Sequence, residues 1–67
     1  MEISYVFDNY EDREKAADEV YRDCGGSKAY DRKTNSDGYI LTLTSQCEDF
    51  SRGTFLCAIN GGRVYSY

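Results

Sequence analysis

The chain contains no histidine, no proline and no tryptophan among its 67 residues. Without histidine it lacks the side chain that most often serves as a general base and as a metal ligand near neutral pH. Its three cysteines, Cys24, Cys47 and Cys57, form no CxxC pair and do not have the spacing of a zinc site. These absences argue against an enzyme, and we expect neither a cofactor nor a metal ion.

A long hydrophobic run is also missing, whereas a membrane-spanning helix needs about 20 apolar residues. Met1 leads directly into EISYVF, without the basic start and apolar core of a signal peptide. We therefore expect a cytoplasmic protein that does not contact a membrane. In a reducing cytoplasm the cysteines are expected to be small buried hydrophobes. A Cys47–Cys57 disulfide, or a thiol or metal role for the three cysteines, stays open as an alternative.

The composition indicates one small folded domain that spans residues 1–67. Apolar residues make up 40% of the chain and aromatic residues 15%, which is too much for a disordered protein. A domain of this size buries only about 60% of the surface that its unfolded chain exposes. It is therefore better suited to presenting a surface than to building a deep active site.

Residues 9–23, NYEDREKAADEVYRD, are predicted to form an amphipathic helix because their apolar positions recur at helical spacing. Two caps fit the start of this helix equally well. Asp8 can act with Glu11 three residues later, or Asn9 can act with Asp12. Two glycines shortly after residue 23 can end the helix in the left-handed conformation.

The apolar side of this helix covers an arc of about 140° at 100° per residue. It consists of Tyr10, Ala16, Ala17, Val20, Tyr21 and Cys24. Arg13 alone intrudes on this side, where its aliphatic stem can lie flat while its charged head reaches water.

The rest of the chain has the pattern of β-strands. The predicted strands are EISYVF before the helix and then SKAYDRKT, YILTLTS, TFLCAIN and RVYSY. Asp37-Gly38 and Asn60-Gly61-Gly62 have the composition of hairpin turns, and QCEDFSRG that of a loop. The expected core consists of Ile3, Tyr5, Phe7, Ala17, Val20, Tyr21, Leu41, Leu43, Phe55, Cys57, Ile59 and Val64.

These elements predict an α+β fold in two layers. One amphipathic helix is expected to pack on a mostly antiparallel sheet of four to five strands, in the order β-α-β-β-β-β.

The charge of the chain is unevenly distributed. Residues 1–24 contain eight acidic and three basic residues, whereas residues 25–67 contain four acidic and five basic ones. The net charge of −4 therefore sits on the first strand and the helix. Helical spacing predicts three local ion pairs, namely Glu11–Lys15, Asp18–Arg22 and Glu19–Arg22. The helix is thus either an ordinary solvated surface or a negative surface that serves binding.

Three acidic residues of the helix, Asp12, Glu14 and Asp23, are less well neutralised by this pattern. Asp23 stands at the helix C-terminus, where the dipole disfavours an anion. A sequence under selection for stability alone would carry a lysine there. This position therefore favours a binding role for the negative surface.

A tiny acidic domain with DNYEDREKAADEVYRD on one helix beside a tyrosine-rich sheet resembles the small phage-encoded anti-CRISPR proteins. The resemblance is one of size, charge and architecture, and no diagnostic motif carries it. Several of those inhibitors imitate DNA and block the DNA-binding or PAM-reading surface of a Cas effector complex. The resemblance implies a basic nucleic-acid-binding protein as partner, without direct binding of nucleic acid. It implies that phosphates are replaced by Glu11, Asp12, Glu14, Asp18, Glu19 and Asp23, with Tyr10 as a packed anchor.

A rival interpretation places the binding surface on the sheet. A regulatory or interaction module would then bind through Tyr30, Tyr39, Tyr65 and Tyr67, and the helix charge would serve solubility alone. A basic cluster with stacking potential, Lys28, Arg32 and Lys33 around Tyr30, is better explained as a charged edge strand. We expect a monomer rather than a dimer, while pairing through an open strand edge stays open.

Overall fold

The computed structural model describes residues 2–26, 28–44 and 49–66. Its elements are β1 (Ile3–Phe7), α1 (Tyr10–Asp23), β2 (Tyr30–Asn35), β3 (Gly38–Leu43), α2 (Phe50–Ile59) and β4 (Arg63–Ser66). The predicted α+β fold is confirmed, and the sheet has four antiparallel strands. The predicted order is wrong at one element, because a second helix stands where the fourth strand was expected. Within the described residues, no helix is long and apolar enough to cross a membrane.

The strands lie in the order β2-β3-β1-β4, so the N-terminal strand is central and β2 and β4 are the edges. Side chains of β1 and β3 that share one face of the sheet pack with both helices in a single core. That core contains Tyr5, Phe7, Leu41 and Leu43 from the sheet. The opposite face carries no described helix, although its cross-strand pair Val6 and Ile40 is still buried.

Helix α1 begins at the second of the two predicted caps, Asn9 rather than Asp8, and ends at the predicted glycines. Asn9 is the N-cap, and its side-chain oxygen accepts a hydrogen bond of 2.9 Å from the Asp12 backbone N–H. At the other end the backbone N–H of Gly25 bonds to the Arg22 carbonyl, and that of Gly26 bonds to the Tyr21 carbonyl. Gly25 has φ of 66°, so this is a Schellman end.

Helix α2 replaces the predicted strand TFLCAIN. The Asp49 side chain caps its start by accepting a bond of 3.0 Å from the Arg52 backbone N–H. Its C-terminus is a second Schellman end, because the N–H of Gly61 bonds to the Ala58 carbonyl and that of Gly62 to the Cys57 carbonyl. Gly61 and Gly62, which were predicted to form a hairpin turn, therefore end a helix instead.

The helical period changes which side chains of residues 54–60 are buried. Leu56 is only 7% exposed, whereas Phe55 and Ile59, which were predicted to lie in the core, are 54% and 57% exposed. Val64 and Tyr21 are likewise exposed, contrary to prediction. The prediction is confirmed for Tyr5, Phe7, Ala17, Val20, Leu41, Leu43 and Cys57, and Ile3 is partly buried. Cys47 lies outside the described residues, and so does any pairing with Cys57.

Strands β2 and β3 form the predicted hairpin. Its two-residue loop is Ser36-Asp37, one position earlier than Asp37-Gly38, because Asn35 pairs with Gly38 across the ladder. The Asn35 side-chain oxygen accepts a hydrogen bond of 2.8 Å from the Asp37 backbone N–H, which stabilises the turn.

Strand β4 carries a bulge that aims Tyr65 at this turn. The register between β1 and β4 shifts between Ser4 and Tyr5, which makes Tyr65 the extra residue. The Tyr65 hydroxyl donates a hydrogen bond to the Asp37 carboxylate. This bond raises the pKa of Tyr65, because the phenolate has no proton to donate, and a hydrogen bond from Asn35 acts in the opposite direction.

The raised pKa of Tyr65 predicts a loss of stability in alkali. Its contribution is present below pH of about 10, the value for an unfolded tyrosine, and disappears as the pH rises through the higher folded pKa. An NMR titration of ring-labelled tyrosine, assigned with Tyr65→Phe, should show Tyr65 ionising above that value. In Asp37→Ala the titration should move back towards it. A wild-type Tyr65 that ionises at the ordinary pH would contradict the prediction.

Candidate acidic protein-binding face

The outermost row of α1 balances its charges. Glu11, Lys15, Asp18 and Arg22 follow one another at spacings of four, three and four residues, which places them on one side of the helix. All four are exposed, and the predicted Asp18–Arg22 pair is confirmed at 3.1 Å. The predicted Glu11–Lys15 pair is not formed among the described residues. The row as a whole has no net charge.

On the β2 side of α1, Arg13 is buried rather than directed to water. It is only 7% exposed, and its Nη1 donates to the Lys33 carbonyl at 3.0 Å and to Thr34 Oγ1 at 3.1 Å. Its Nε donates to Glu14 at 3.0 Å, and Arg32 donates to the other oxygen of the same carboxylate. Glu14 is therefore paired with two arginines, so the expectation that it is poorly neutralised is wrong.

Two tyrosines hold the Arg13 guanidinium in place. Its carbon lies 5.3 Å from the centre of the Tyr10 ring and 5.4 Å from that of Tyr39, which are distances of cation–π contacts. The two rings meet edge to face at 6.1 Å. Tyr10 is nevertheless 53% exposed. It is thus a fixed aromatic side chain at the surface, as a binding anchor requires.

On the α2 side, the acidic residues of α1 connect the two helices. Asp23 accepts a bond of 3.0 Å from Arg52 Nε, so it too is paired, contrary to expectation. Glu19 does not pair with Arg22; its carboxylate accepts a hydrogen bond from the Asn60 amide, which also donates to the Leu56 carbonyl. These bonds lie at both ends of α2 and hold α1 and α2 antiparallel in one layer.

Three carboxylates of α1 keep their charge without a cation within ion-pair distance in the described part of the chain. They are Glu11, Asp12 and Glu19, which we call the acidic face of α1. Neutral amides hold two of them, since Asn9 donates to Asp12 at 3.1 Å and Asn60 donates to Glu19. Such bonds position a carboxylate and leave its negative charge available to a partner.

A second exposed surface lies on α2 and was missed in the sequence. Phe55, Ala58 and Ile59 share the side of the helix that faces away from the core, and we call them the apolar face of α2. The signal that could have revealed it was the Asp49 cap together with the glycines after Asn60. Exposed apolar side chains that lie next to one another are typical of protein interaction sites.

The groove between the two helices does not resemble a small-molecule site. It has a volume of about 320 Å³ and is lined by Glu19, Arg22, Asp23, Arg52 and Leu56. Small-molecule pockets are mostly apolar, whereas four of these five residues are charged. In the described ranges, no group of three or more acidic or cysteine side chains could hold a metal ion.

The tyrosines of the sheet do not share one surface. Tyr30 is 8% exposed and Tyr39 packs against α1, both on the helix-covered side, whereas Tyr65 on the edge strand β4 bonds to Asp37 in the β2–β3 turn. Tyr67 lies outside the described residues. Lys28 and Arg32 lie 6.0 and 5.7 Å from the centre of the Tyr30 ring, so they cover that ring, which is too deeply buried to stack on a base.

Comparisons of the chain with known protein families, with curated proteins and with solved structures found no match. The class is defined by the fold alone: an α+β protein with two antiparallel helices on one face of a four-stranded antiparallel sheet.

Proposed function

We propose that this protein is a non-enzymatic inhibitor that binds another protein, and that its target is the basic nucleic-acid-binding surface of a Cas effector complex. The acidic face of α1 would occupy the place of DNA phosphates there. The observation that carries the proposal is that, among the residues the structure describes, no cation lies within ion-pair distance of Glu11, Asp12 or Glu19, while the other acidic residues of α1 each have an arginine partner.

Charge distribution supports a basic partner. Lys15 and Arg22 lie on the same side of α1 as the acidic face, but Arg22 is paired with Asp18, so this surface keeps a net negative charge. Tyr10 lies next to Glu11 and is held by Arg13 and Tyr39, which lowers the entropy lost when a partner covers it. Tyr10 lies on the β2 side of α1, whereas Asp12 and Glu19 lie on the α2 side, so this aromatic anchor borders the acidic face at Glu11.

The arginine-paired acids are expected to contribute less to binding. Asp18, Asp23 and Glu14 already interact with Arg22, Arg52 and Arg13. A cation from the partner would have to compete with an intramolecular one at each of these sites. Of the six carboxylates proposed to replace phosphates, the three of the acidic face therefore act most strongly.

Two triple variants of equal net charge test this proposal. The first, Glu11→Gln, Asp12→Asn and Glu19→Gln, removes the acidic face. The second, Glu2→Gln, Asp31→Asn and Asp37→Asn, removes three carboxylates outside the helices. Both have a net charge of −1 instead of −4. Each is titrated against a panel of purified Cas effector complexes bound to labelled target DNA, and the displaced DNA is measured by fluorescence anisotropy.

The wild-type protein should displace DNA from at least one effector, and higher salt should weaken this inhibition. The first variant should inhibit roughly 10- to 100-fold less strongly, while the second should inhibit like the wild type. Equal losses in both variants would show that only total charge matters. Failure of the wild-type protein against every effector would refute the proposal.

A further inference from the structure

The two edges of the sheet differ in how they are protected. On β2 the five residues 31–35 are exposed, Asp31, Arg32 and Lys33 are charged, and Arg13 already occupies the Lys33 carbonyl. Charged residues at an edge prevent another strand from pairing there. On β4, Arg63 is the sole charged residue, and both of its terminal nitrogens donate to Asp8. The β4 edge therefore has no comparable protection.

Both β4 and α2 carry exposed apolar side chains. Val64 is 50% exposed and pairs with Tyr5, whose side chain faces the helices. The Tyr5 hydroxyl donates a bond of 2.6 Å to Thr54 Oγ1, which places α2 beside this part of the strand. Val64 thus lies on the same side of the sheet as Phe55 of the apolar face of α2.

The charges of the molecule permit a second copy at this surface. The chain has a net charge of −4, so two copies repel one another over most orientations. No carboxylate lies among Val64, Thr54 and the apolar face of α2. Asp8 is paired with Arg63 of β4, and Asp12 of the acidic face lies beside Gly61, before the strand begins. Approach through β4 therefore joins surfaces whose own residues carry no net negative charge.

We propose that two copies of the chain associate by antiparallel pairing of their β4 strands. A two-fold axis perpendicular to the sheet keeps the helices of both copies on the same face, so each apolar face of α2 meets its counterpart. Such an interface is self-complementary, as cyclic dimers require. The four-stranded sheets would join into one continuous sheet. This proposal goes beyond the proposed inhibition and replaces the expectation of a monomer.

The size of the interface sets the expected affinity. Strand β4 has four residues, and few large apolar side chains flank it. The surface buried in the dimer should therefore be smaller than the about 800 Å² per partner of a standard interface. We therefore expect a dissociation constant of roughly 1–100 µM, with monomers prevailing in dilute solution. Each dimer would present two acidic faces.

Sedimentation velocity over a range of concentrations tests the proposal with two variants of equal net charge. Val64→Lys adds a charge at the β4 edge, whereas Asp31→Asn makes the same change of charge on β2. Wild type and Asp31→Asn should dimerise as the concentration rises, and Val64→Lys should stay monomeric with an unchanged circular dichroism spectrum. Phe55→Ser should raise the dissociation constant about tenfold or more.

Two results would overturn the dimer. One is a wild-type protein that stays monomeric up to about 1 mM, well above the expected dissociation constant; the β4 edge would then be free for a strand of another protein. The other is a Val64→Lys variant that dimerises like the wild type. Neither result depends on whether the protein inhibits a Cas effector.

Discussion

Replacing Arg13 by alanine is expected to lower the free energy of unfolding by about 3 kcal/mol. The guanidinium is buried between Tyr10 and Tyr39 and bonds to Glu14, to the Lys33 carbonyl and to Thr34. Its removal leaves partners without a donor and opens a void between α1 and β2. At about 0.05–0.15 kcal/mol per residue, the whole domain has only about 3–10 kcal/mol to lose. Thermal unfolding followed by circular dichroism should show a fall in Tm of about 12–24 °C.

Arg22→Ala is the matched control for this experiment because it removes the same charge from the same helix. The Arg22 side chain is 78% exposed and its ion pair with Asp18 lies at the surface. Such a pair contributes about 0–1 kcal/mol, so Tm should change little. Arg13→Lys should fall between the two, since an ammonium cannot replace the planar guanidinium between two rings. Equal effects of Arg13→Ala and Arg22→Ala would show that Arg13 is not buried in solution.

Replacing Leu56 by alanine is expected to cost about 2–5 kcal/mol, whereas replacing its neighbour Phe55 should cost less than about 0.5 kcal/mol. Leu56 is 7% exposed within the core and Phe55 is 54% exposed. A strand at residues 54–60 would give the reverse order, because its alternation would direct Phe55, Cys57 and Ile59 inward. The comparison therefore separates a helix from a strand directly.

Urea unfolding of dilute protein measures the loss of stability in Leu56→Ala and in Phe55→Ala without interference from dimerisation. Ala58→Ser serves as a further control, because Ala58 is exposed on the same helix and loses no buried surface. A larger loss for Phe55→Ala than for Leu56→Ala would mean that residues 50–59 do not form α2.

Local sequence signals were sufficient for most of the fold. The apolar positions of residues 9–23 fit only the α-helical period of about 3.6 residues. Asn9 and the glycines after Cys24 mark the two ends of α1. Strand β3 and the β2–β3 hairpin followed from alternation and turn composition in the same way. The failure at TFLCAIN has a physical reason: a short apolar run has no polar side from which its period can be read. Asn-Gly-Gly suits a hairpin and a Schellman end alike, because both need a residue with positive φ.

The candidate site was less predictable than the fold. Spacing within a helix identifies partners such as Asp18 and Arg22, which are four residues apart. It says nothing about Arg32 beside Glu14 or Arg52 beside Asp23, which come from other elements. Arg13 was misjudged for the same reason, since its acceptors in β2 lie 20 and 21 residues away.

By itself the sequence determined the net charge, the amphipathic helix that carries it and the α+β class, because composition and period are local properties. The tertiary structure alone decided which carboxylates stay unpaired. Ion pairs form between residues that folding brings together, and the packing of α1 against β2 and α2 supplied arginines to Glu14 and Asp23 and none to Glu11, Asp12 or Glu19. Folding also exposed Phe55 and Ile59 by making residues 50–59 a helix.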